Sequence, residues 1–131
     1  MKTKRLHLVP VLFLFIICLC TVPIQAATLG KVTDVKIKQL SDEKVKLTWS
    51  TKTWAKGYEV YQKTDSGKYK KIKTTAAQSL TIKGLDAGKT NYFRVRAYKK
   101  SAGKKVYGKY SSSVKIILKK STVDNKVFTV S

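Results

Sequence analysis

The sequence contains few of the residues on which catalytic and metal sites depend. Its one histidine, His7, and its two cysteines, Cys18 and Cys20, all lie within the first 20 of 131 residues. The rest of the chain therefore offers no Ser–His or Cys–His nucleophile pair and no His/Cys metal site. It also offers no disulfide framework, so a fold has to be stabilised by its core alone.

Acidic residues are also scarce. The chain has seven Asp and Glu residues against 28 Lys and Arg residues, and its formal net charge is +21. The acids are scattered and fall mostly in expected turns, whereas a glycosidase needs two carboxyl groups that face each other across a cleft. They form no calcium-loop pattern either. We therefore expect a protein that is not an enzyme and that needs no cofactor and no metal.

The N-terminus has the pattern of a secretory signal peptide. Three basic residues open the chain, and an apolar run follows from Leu8 to Cys20. This run is shorter than the roughly 20 residues that a membrane helix needs. We expect cleavage after Ala26, or alternatively after Ala27, and hence a secreted, extracellular protein without a membrane span that is free or held at the cell surface. Two alternatives stay open, an uncleaved anchor and a lipid on Cys18 or Cys20.

The remaining chain alternates apolar and polar residues with a period of two. Val45, Leu47 and Trp49 alternate with lysine and threonine, as expected of a strand with one buried face. Clusters of turn-forming residues separate such segments, and a hydrophobic content of 43% is sufficient for a folded core. Seven short strands at this spacing predict an all-β sandwich. They are expected near residues 32–40, 45–49, 58–61, 69–72, 80–82, 93–98 and 114–118.

Five groups of residues, in this order, carry a resemblance to a known family: Leu47–Trp49, Gly57–Tyr61, Gly84–Thr90, Phe93–Tyr98 and Tyr107–Ser111. The chain resembles a fibronectin type III domain, of the Lys-rich type found in secreted proteins of Gram-positive bacteria. The resemblance implies an immunoglobulin-like β-sandwich with seven strands in two antiparallel sheets. The expected divisions are a signal peptide at 1–26, a linker at 27–30, the fibronectin type III domain at 31–118 and a C-terminal tail at 119–131.

The same resemblance implies the residues of the core, and one departure from the family pattern. The expected core residues are Trp49, Tyr58, Val60, Leu85, Phe93, Val95 and Ala97. The family usually has a tyrosine where this chain has Asn91, and here the tyrosine follows at Tyr92. Strand parity points Asn91 inward and Tyr92 outward, so the tyrosine corner is either lost or restored by a bulge. We expect Asn91→Tyr to stabilise the domain.

Two surface regions are candidate binding sites. The first is the end of the sandwich where the loops after the second and sixth strands meet. Trp54 lies in the first loop, and the second is expected to carry Lys99, Lys100, Lys104 and Lys105. An exposed indole beside ammonium groups can bind a polyanion or a sugar ring. The alternative is that Trp54 folds back over the end of the sandwich and the lysines are solvated.

The second region is the outer face of the sheet that contains the third and sixth strands. Parity points five side chains outward there: Tyr61, Tyr92, Arg94, Arg96 and Tyr98. Interleaved arginine and tyrosine can bind an anionic or carbohydrate chain. Equally, they can form cross-strand pairs that stabilise the sheet by about 0.2–1 kcal/mol each.

The excess of positive charge suggests a function. Removal of the signal peptide leaves 25 Lys and Arg residues against seven acids, whereas solubility requires a net charge of only about 2–8. We expect a monomeric, non-catalytic binding or adhesion module for an anionic cell-wall polymer or acidic polysaccharide, with salt-sensitive binding. The alternatives are a spacer or protein-binding domain and a specific carbohydrate-binding module. Phosphate neutralisation would also allow binding to nucleic acid in vitro, but the signal peptide argues against a genomic role.

Overall fold

The period-two alternation produces antiparallel strands throughout the computed structural model, which describes residues 29–122. These residues form eight strands: β1 (Lys36–Ser41), β2 (Lys44–Thr48), β3 (Gly57–Thr64), β4 (Lys70–Thr75), β5 (Ser79–Ile82), β6 (Thr90–Ser101), β7 (Lys104–Tyr107) and β8 (Val114–Ile117). Within this range there is no helix of the length and hydrophobicity that a membrane crossing requires. The expected signal peptide and the end of the tail, from residue 123, lie outside the described residues.

The strands form two antiparallel sheets. The smaller sheet has the order β1-β2-β5, and the larger has the order β4-β3-β6-β7, with β8 also paired to β6. Strand β6 is the longest, with 12 residues. It pairs with β3 along one side, and with β7 and β8 at its two ends along the other side. This arrangement makes β6 the centre of the larger sheet, and its outward side chains are flanked by several other elements.

The core lies between the two sheets and follows the alternation of the sequence. Val45 and Leu47 of β2 face Phe93 and Val95 of β6, and all four are fully buried. Burial of such a side chain stabilises the fold by about 1.5–3 kcal/mol. The rest of the core cluster comprises Val32, Trp49, Tyr58, Val60, Ile82, Leu85, Ala97 and Leu118. All seven residues that the family resemblance assigned to the core are buried.

The sandwich has eight strands instead of seven because its last strand is divided. Between β7 and β8, the backbone N–H of Ser111 donates to the carbonyl of Val95 at 2.8 Å. The Ser111 hydroxyl accepts the Val95 N–H at 2.9 Å, so a side chain takes the place of a backbone carbonyl. At Gly108 an added Cβ would lie 2.6 Å from the carbonyl oxygen of Gly30, so this break in the strand has no room for a side chain. The immunoglobulin-like architecture is confirmed, and β7 is the strand that the sequence pattern missed.

Asn91 is buried, with 2% of its surface exposed, and its polar atoms are satisfied. Its Oδ1 accepts a hydrogen bond from Nε2 of Gln62 at 2.8 Å, and its Nδ2 donates to the carbonyl of Lys89 at 3.2 Å. The amide thus bonds to the backbone near the corner, where the family has a tyrosine. The stabilising effect of Asn91→Tyr stays a prediction, and that substitution would have to replace both of these bonds.

Candidate functional site on the outer face of the larger sheet

The pairing of β3 with β6 places charged and aromatic residues opposite one another on the outer face. Glu59 is paired with Arg96, Tyr61 with Arg94, and Lys63 with Tyr92. Side chains from β7 and from the segments before β4 and after β7 complete the surface. We call the following residues the Tyr–Arg cluster: Glu59, Tyr61, Tyr69, Arg94, Arg96, Tyr107 and Tyr110.

Glu59 is the acidic centre of this cluster, and its side chain is fully buried although it lies on the outer face. Arg96 donates to Oε2 from Nη2 at 3.0 Å and from Nε at 3.3 Å. The Tyr61 hydroxyl donates to the same oxygen at 2.7 Å. Three further groups reach Oε1: Lys105 Nζ at 3.1 Å, Tyr107 Oη at 3.3 Å and Lys71 Nζ at 3.4 Å. One carboxylate therefore organises three cations and two phenols.

These contacts keep Glu59 ionised. Burial opposes the charged form, but hydrogen bonds from Tyr61, Lys105 and Arg96 outweigh it and lower the pKa of Glu59 to about 2. Burial, and then the hydrogen bond to Glu59, raise the pKa of Tyr61 above its ordinary value. The hydrogen bond to Glu59 also raises the pKa of Lys105. At neutral pH the carboxylate is therefore charged, and Tyr61 and Lys105 keep the protons that they donate to it.

The two arginines of the cluster are stacked on tyrosine rings. Cζ of Arg96 lies 3.7 Å from the ring centroid of Tyr107. Cζ of Arg94 lies 3.9 Å from the centroid of Tyr69 and 3.7 Å from that of Tyr110. Contacts between a cation and a ring face at such distances are worth about 0.5–1 kcal/mol at an exposed site and more when water is excluded. Tyr110 also lies 4.9 Å from Cζ of Arg96, so the rings and guanidinium groups form one contiguous cluster across the face.

Tyr69 reaches Arg94 from outside the strands and is fixed in place by two contacts. Its hydroxyl forms a 2.5 Å hydrogen bond with the hydroxyl of Ser113, next to β8. The ammonium group of Lys63 lies 5.3 Å from the Tyr69 ring centroid and 4.8 Å from that of Tyr92. The ring of Tyr69 is thus held on the outer face beside Arg94. Tyr110 contacts the same guanidinium group, at 3.7 Å.

Arg94 differs from Arg96 in one respect. Among residues 29–122, no carboxylate or other hydrogen-bond acceptor contacts the guanidinium group of Arg94, and its Nε is buried without a partner. A buried donor without a partner costs about 1–3 kcal/mol. The charge of Arg94 is therefore offset only by tyrosine rings, and the fork of N–H groups that could bind an anion is unused.

The end of the sandwich does not form the exposed aromatic site that the sequence suggested as one possibility. Trp54 is half-buried and packs against the core. Its ring lies so close to Gly108 that a Cβ there would be 2.9 Å from Cη2 of the indole. Within the described part of the chain, no cation stacks on this indole. Trp54 therefore takes the position of the second alternative, in which it covers the end of the sandwich.

The expected lysine-rich loop is in fact part of a β-hairpin. Lys99 and Lys100 belong to β6, Lys104 and Lys105 belong to β7, and Lys100 is paired with Lys105. The turn is short because Ala102 and Gly103 both adopt positive φ angles, 48° and 77°. Lys105 is drawn to the outer face, where it binds Glu59 and lies 4.4 Å from the ring centroid of Tyr98. Lys100 and Lys105 are thus neighbours on a hairpin and not in a loop, and a shared binding role of the four lysines with Trp54 stays a prediction.

Most of the positive charge has no acidic partner. Residues 29–122 contain 24 Lys and Arg residues and six Asp and Glu residues. Within that range, only Lys71, Lys89, Arg96 and Lys105 lie within 4.0 Å of a carboxylate oxygen. Four exposed lysines line the outer face of the smaller sheet: Lys36, Lys38, Lys44 and Lys46. Two of them, Lys38 and Lys46, are direct cross-strand neighbours, an arrangement that is unfavourable for like charges.

Comparison with known families agrees with this topology. The profile of the fibronectin type III domain matches residues 30–114. The chain belongs to the fibronectin type III family. Domains of this family are commonly binding or spacer modules, are generally non-catalytic, often mediate protein interactions and are frequently extracellular. In the described part of the fibronectin type III domain, no three His, Cys, Asp or Glu residues are placed to hold a metal ion.

Solved structures support the same fold. The FN1–FN3 domains of chicken CNTN1 share 21% identity at a TM-score of 0.61, over 70% of this chain and 31% of that structure. The sixth fibronectin type III domain of human fibronectin type III domain containing protein 3 shares 20% identity at a TM-score of 0.60, over 74% and 92% of the two chains. This chain spans about a third of the chicken structure, and identities this low establish the fold alone. No curated protein matches the chain.

Sequence reasoning found three of the seven residues of the Tyr–Arg cluster. The parity of β3 and β6 placed Tyr61, Arg94 and Arg96 on one face, and the structure brings them together. Glu59 was missed, although an acid between apolar strand residues signals a partnered carboxylate. Tyr69 and Tyr110 lie in loops, where alternation gives no direction for a side chain. Tyr107 lies on β7, the strand that was not predicted.

Proposed function

We propose that this fibronectin type III domain is a secreted, non-catalytic module that binds anionic cell-surface or extracellular polymers by electrostatic attraction. The observation that carries the proposal is the lack of acidic partners for the cations. Of 24 Lys and Arg residues in 29–122, 20 have no carboxylate within 4.0 Å in that range. The resemblance to Lys-rich domains of secreted Gram-positive proteins supports the same setting.

The lysines of the smaller sheet support binding over mere solubility. A solvated surface is soluble with both signs interspersed, whereas Lys38 and Lys46 stand directly opposite each other. Their repulsion destabilises the β1–β2 pair by a few tenths of a kcal/mol to about 1 kcal/mol. An anionic chain laid along this sheet would remove the repulsion. The arrangement thus has a physical advantage only when an anion is present.

The charge is spread over both sheets, which favours a polymer over a small ligand. Lys36, Lys38, Lys44 and Lys46 cover the smaller sheet, while the outer face of the larger sheet has unpaired cations at Lys63 and Arg94. A long polyanion can contact many such groups at once. Exposed charges are screened beyond about 8 Å at physiological ionic strength, so the binding has to weaken as salt is added.

The test is retention of the purified protein on immobilised polyphosphate, polygalacturonate and neutral dextran. We expect retention on both polyanions at about 0.05 M NaCl, release at about 0.5 M, and no retention on dextran. Equal retention on dextran, or retention on polyanions that is unchanged at about 1 M NaCl, would contradict the proposal. Isolated cell walls extend the test to a natural surface, with the same expected dependence on salt.

A second candidate function is binding of one protein partner at the edge of the larger sheet. Strands β7 and β8 both lie at this edge, where Val106 and Ile117 are 39% and 50% exposed. An edge strand can accept a strand from another chain through backbone hydrogen bonds. This function predicts tight association with a single protein that persists at high salt, which distinguishes it from the electrostatic module.

A further inference from the structure

Within this proposed binding module, we infer that Arg94 is a specific contact for the carboxylate of a glutamate or aspartate side chain in an acidic polypeptide. The inference rests on the proposed function, because it names the polymer class that the outer face selects. It goes further in assigning the recognition to one guanidinium group in place of the diffuse field of lysines.

The first argument is the unused hydrogen-bonding capacity of Arg94. A guanidinium group carries five N–H donors in a planar fork. In residues 29–122 none of them has a protein acceptor, and Nε is enclosed without a partner. Tyr69 and Tyr110 hold the group in place at 3.9 and 3.7 Å. The fork is therefore already ordered and partly desolvated, which strengthens a charge-assisted bond with an incoming anion.

The second argument is an example of the same contact inside the molecule. Arg96 lies two positions further along β6, is stacked on Tyr107 at 3.7 Å, and binds the carboxylate of Glu59 through Nε and Nη2. Arg94 has the same strand, the same face and the same stacking, but its cross-strand neighbour is Tyr61. The structure thus shows which ligand suits a stacked arginine on this face, and leaves the second arginine without one.

The third argument concerns the stem of the ligand. The carboxylate that Arg96 binds stands at the end of a flexible methylene chain, the side chain of Glu59. A guanidinium group and a carboxylate are both planar and can meet edge to edge. The rings of Tyr69 and Tyr110 crowd Arg94, with centroids 3.9 and 3.7 Å from its Cζ. A carboxylate on a methylene stem can therefore reach the fork with less hindrance than one attached directly to a sugar ring.

The cation stacking also argues against other occupants. Tyr110 contacts Arg94 at 3.7 Å and Arg96 at 4.9 Å, so cations already occupy its stacking surface, which is what a neutral sugar would need. A second copy of this chain is a poor partner because residues 29–122 carry 24 basic and only six acidic residues. An acidic polypeptide has the opposite charge, the flexible stem and the planar group.

The experiment compares three soluble polyanions: poly-L-glutamate, polygalacturonate and polyphosphate. Affinities of the purified protein are measured at about 0.15 M NaCl for the wild type and for Arg94→Lys, which keeps the charge and removes the fork. Lys46→Gln on the other sheet serves as the control for loss of one unit of charge. We expect Arg94→Lys to weaken poly-L-glutamate binding about tenfold and to change the other two affinities less than about twofold.

An independent readout does not need a variant. The Nε–H group of Arg94 is buried, so its NMR signal should be protected from exchange and should shift on titration with poly-L-glutamate. Unchanged poly-L-glutamate affinity in Arg94→Lys, equal weakening for all three polymers, or a stationary Nε–H signal would overturn the inference and leave the electrostatic module intact. If the wild type binds none of the three polymers, the proposed function fails as well.

Discussion

Arg94 and Arg96 lie on the same face of β6, and each guanidinium group lies 3.7 Å from a tyrosine ring centroid. Arg96 is paired across the strands with Glu59 and binds its carboxylate, whereas Arg94 is paired with Tyr61 and binds none. Residue type, strand and face are therefore alike, but the cross-strand neighbour differs, and Arg94 has two rings within 3.9 Å of its Cζ where Arg96 has one. The comparison shows how the register between two strands can make one arginine part of the fold and leave its neighbour available for a ligand.

The largest effect on stability should come from removing the carboxylate of Glu59, which binds Arg96 but not Arg94. Glu59→Gln leaves Arg96, Lys105 and Lys71 together without their counter-charge. We expect the free energy of unfolding at neutral pH to fall by about 3 kcal/mol, as for other broken buried ion pairs. Denaturant unfolding measures it.

Asp86→Asn is the matched control, because it removes an acid from an exposed pair with Lys89. Its expected effect is below about 0.5 kcal/mol. A loss no larger in Glu59→Gln than in Asp86→Asn would show that the buried carboxylate does not stabilise the fold.

In the wild type, acid should reproduce the loss of stability that is expected for Glu59→Gln. The pKa of Glu59 is lowered from 4.5 to about 2, so its stabilising contribution is full above the unfolded-state value and is lost as the pH falls towards 2. We expect stability to decrease by about 3 kcal/mol between about pH 5 and pH 2. The same titration of Glu59→Gln should lack most of this dependence. Parallel curves for the two proteins would mean that other carboxylates cause the acid sensitivity.

Removing Arg96 should have a smaller effect than removing Glu59. In Arg96→Gln the carboxylate keeps its bonds from Tyr61, Lys105, Lys71 and Tyr107. We expect a loss of about 1–2 kcal/mol in the free energy of unfolding. The pKa of Glu59 should also rise, because one of the hydrogen bonds that lower it is gone. NMR titration of the Glu59 carboxyl carbon measures this shift, and an unchanged pKa would contradict the role given to Arg96.

Removing Arg94 should have the smallest effect on stability. Arg94→Met keeps an unbranched stem between the rings and removes a guanidinium group that has no acidic partner within residues 29–122. The substitution loses two ring contacts, but it also removes a buried N–H donor that has no partner, and these effects roughly offset each other. We therefore expect the free energy of unfolding to change by less than about 1 kcal/mol. A loss as large as that in Arg96→Gln would show that both arginines serve the fold, and the contrast between them would disappear.

Local sequence determined much of this architecture. The alternation of Val45 with Leu47, and of Phe93 with Val95, predicted strands and their buried faces, because strand geometry sends successive side chains to opposite sides. It also placed Arg94 and Arg96 on one outer face. The position of β7 was missed because its sequence, two lysines followed by valine and tyrosine, does not alternate apolar and polar residues. In the structure all four side chains are exposed.

The excess of positive charge, the alternation of apolar residues and the order of the family motifs follow from the sequence by itself, because they depend only on composition and on the order of residues along the chain. The contacts between distant side chains do not follow from it. Glu59 and Arg96 are 37 positions apart, Tyr69 and Ser113 are 44 positions apart, and Trp54 packs against Gly108 across the end of the sandwich. Tertiary structure alone decided these contacts, because a period of two assigns a side chain to a face but specifies neither the register of the neighbouring strand nor the direction of a loop residue.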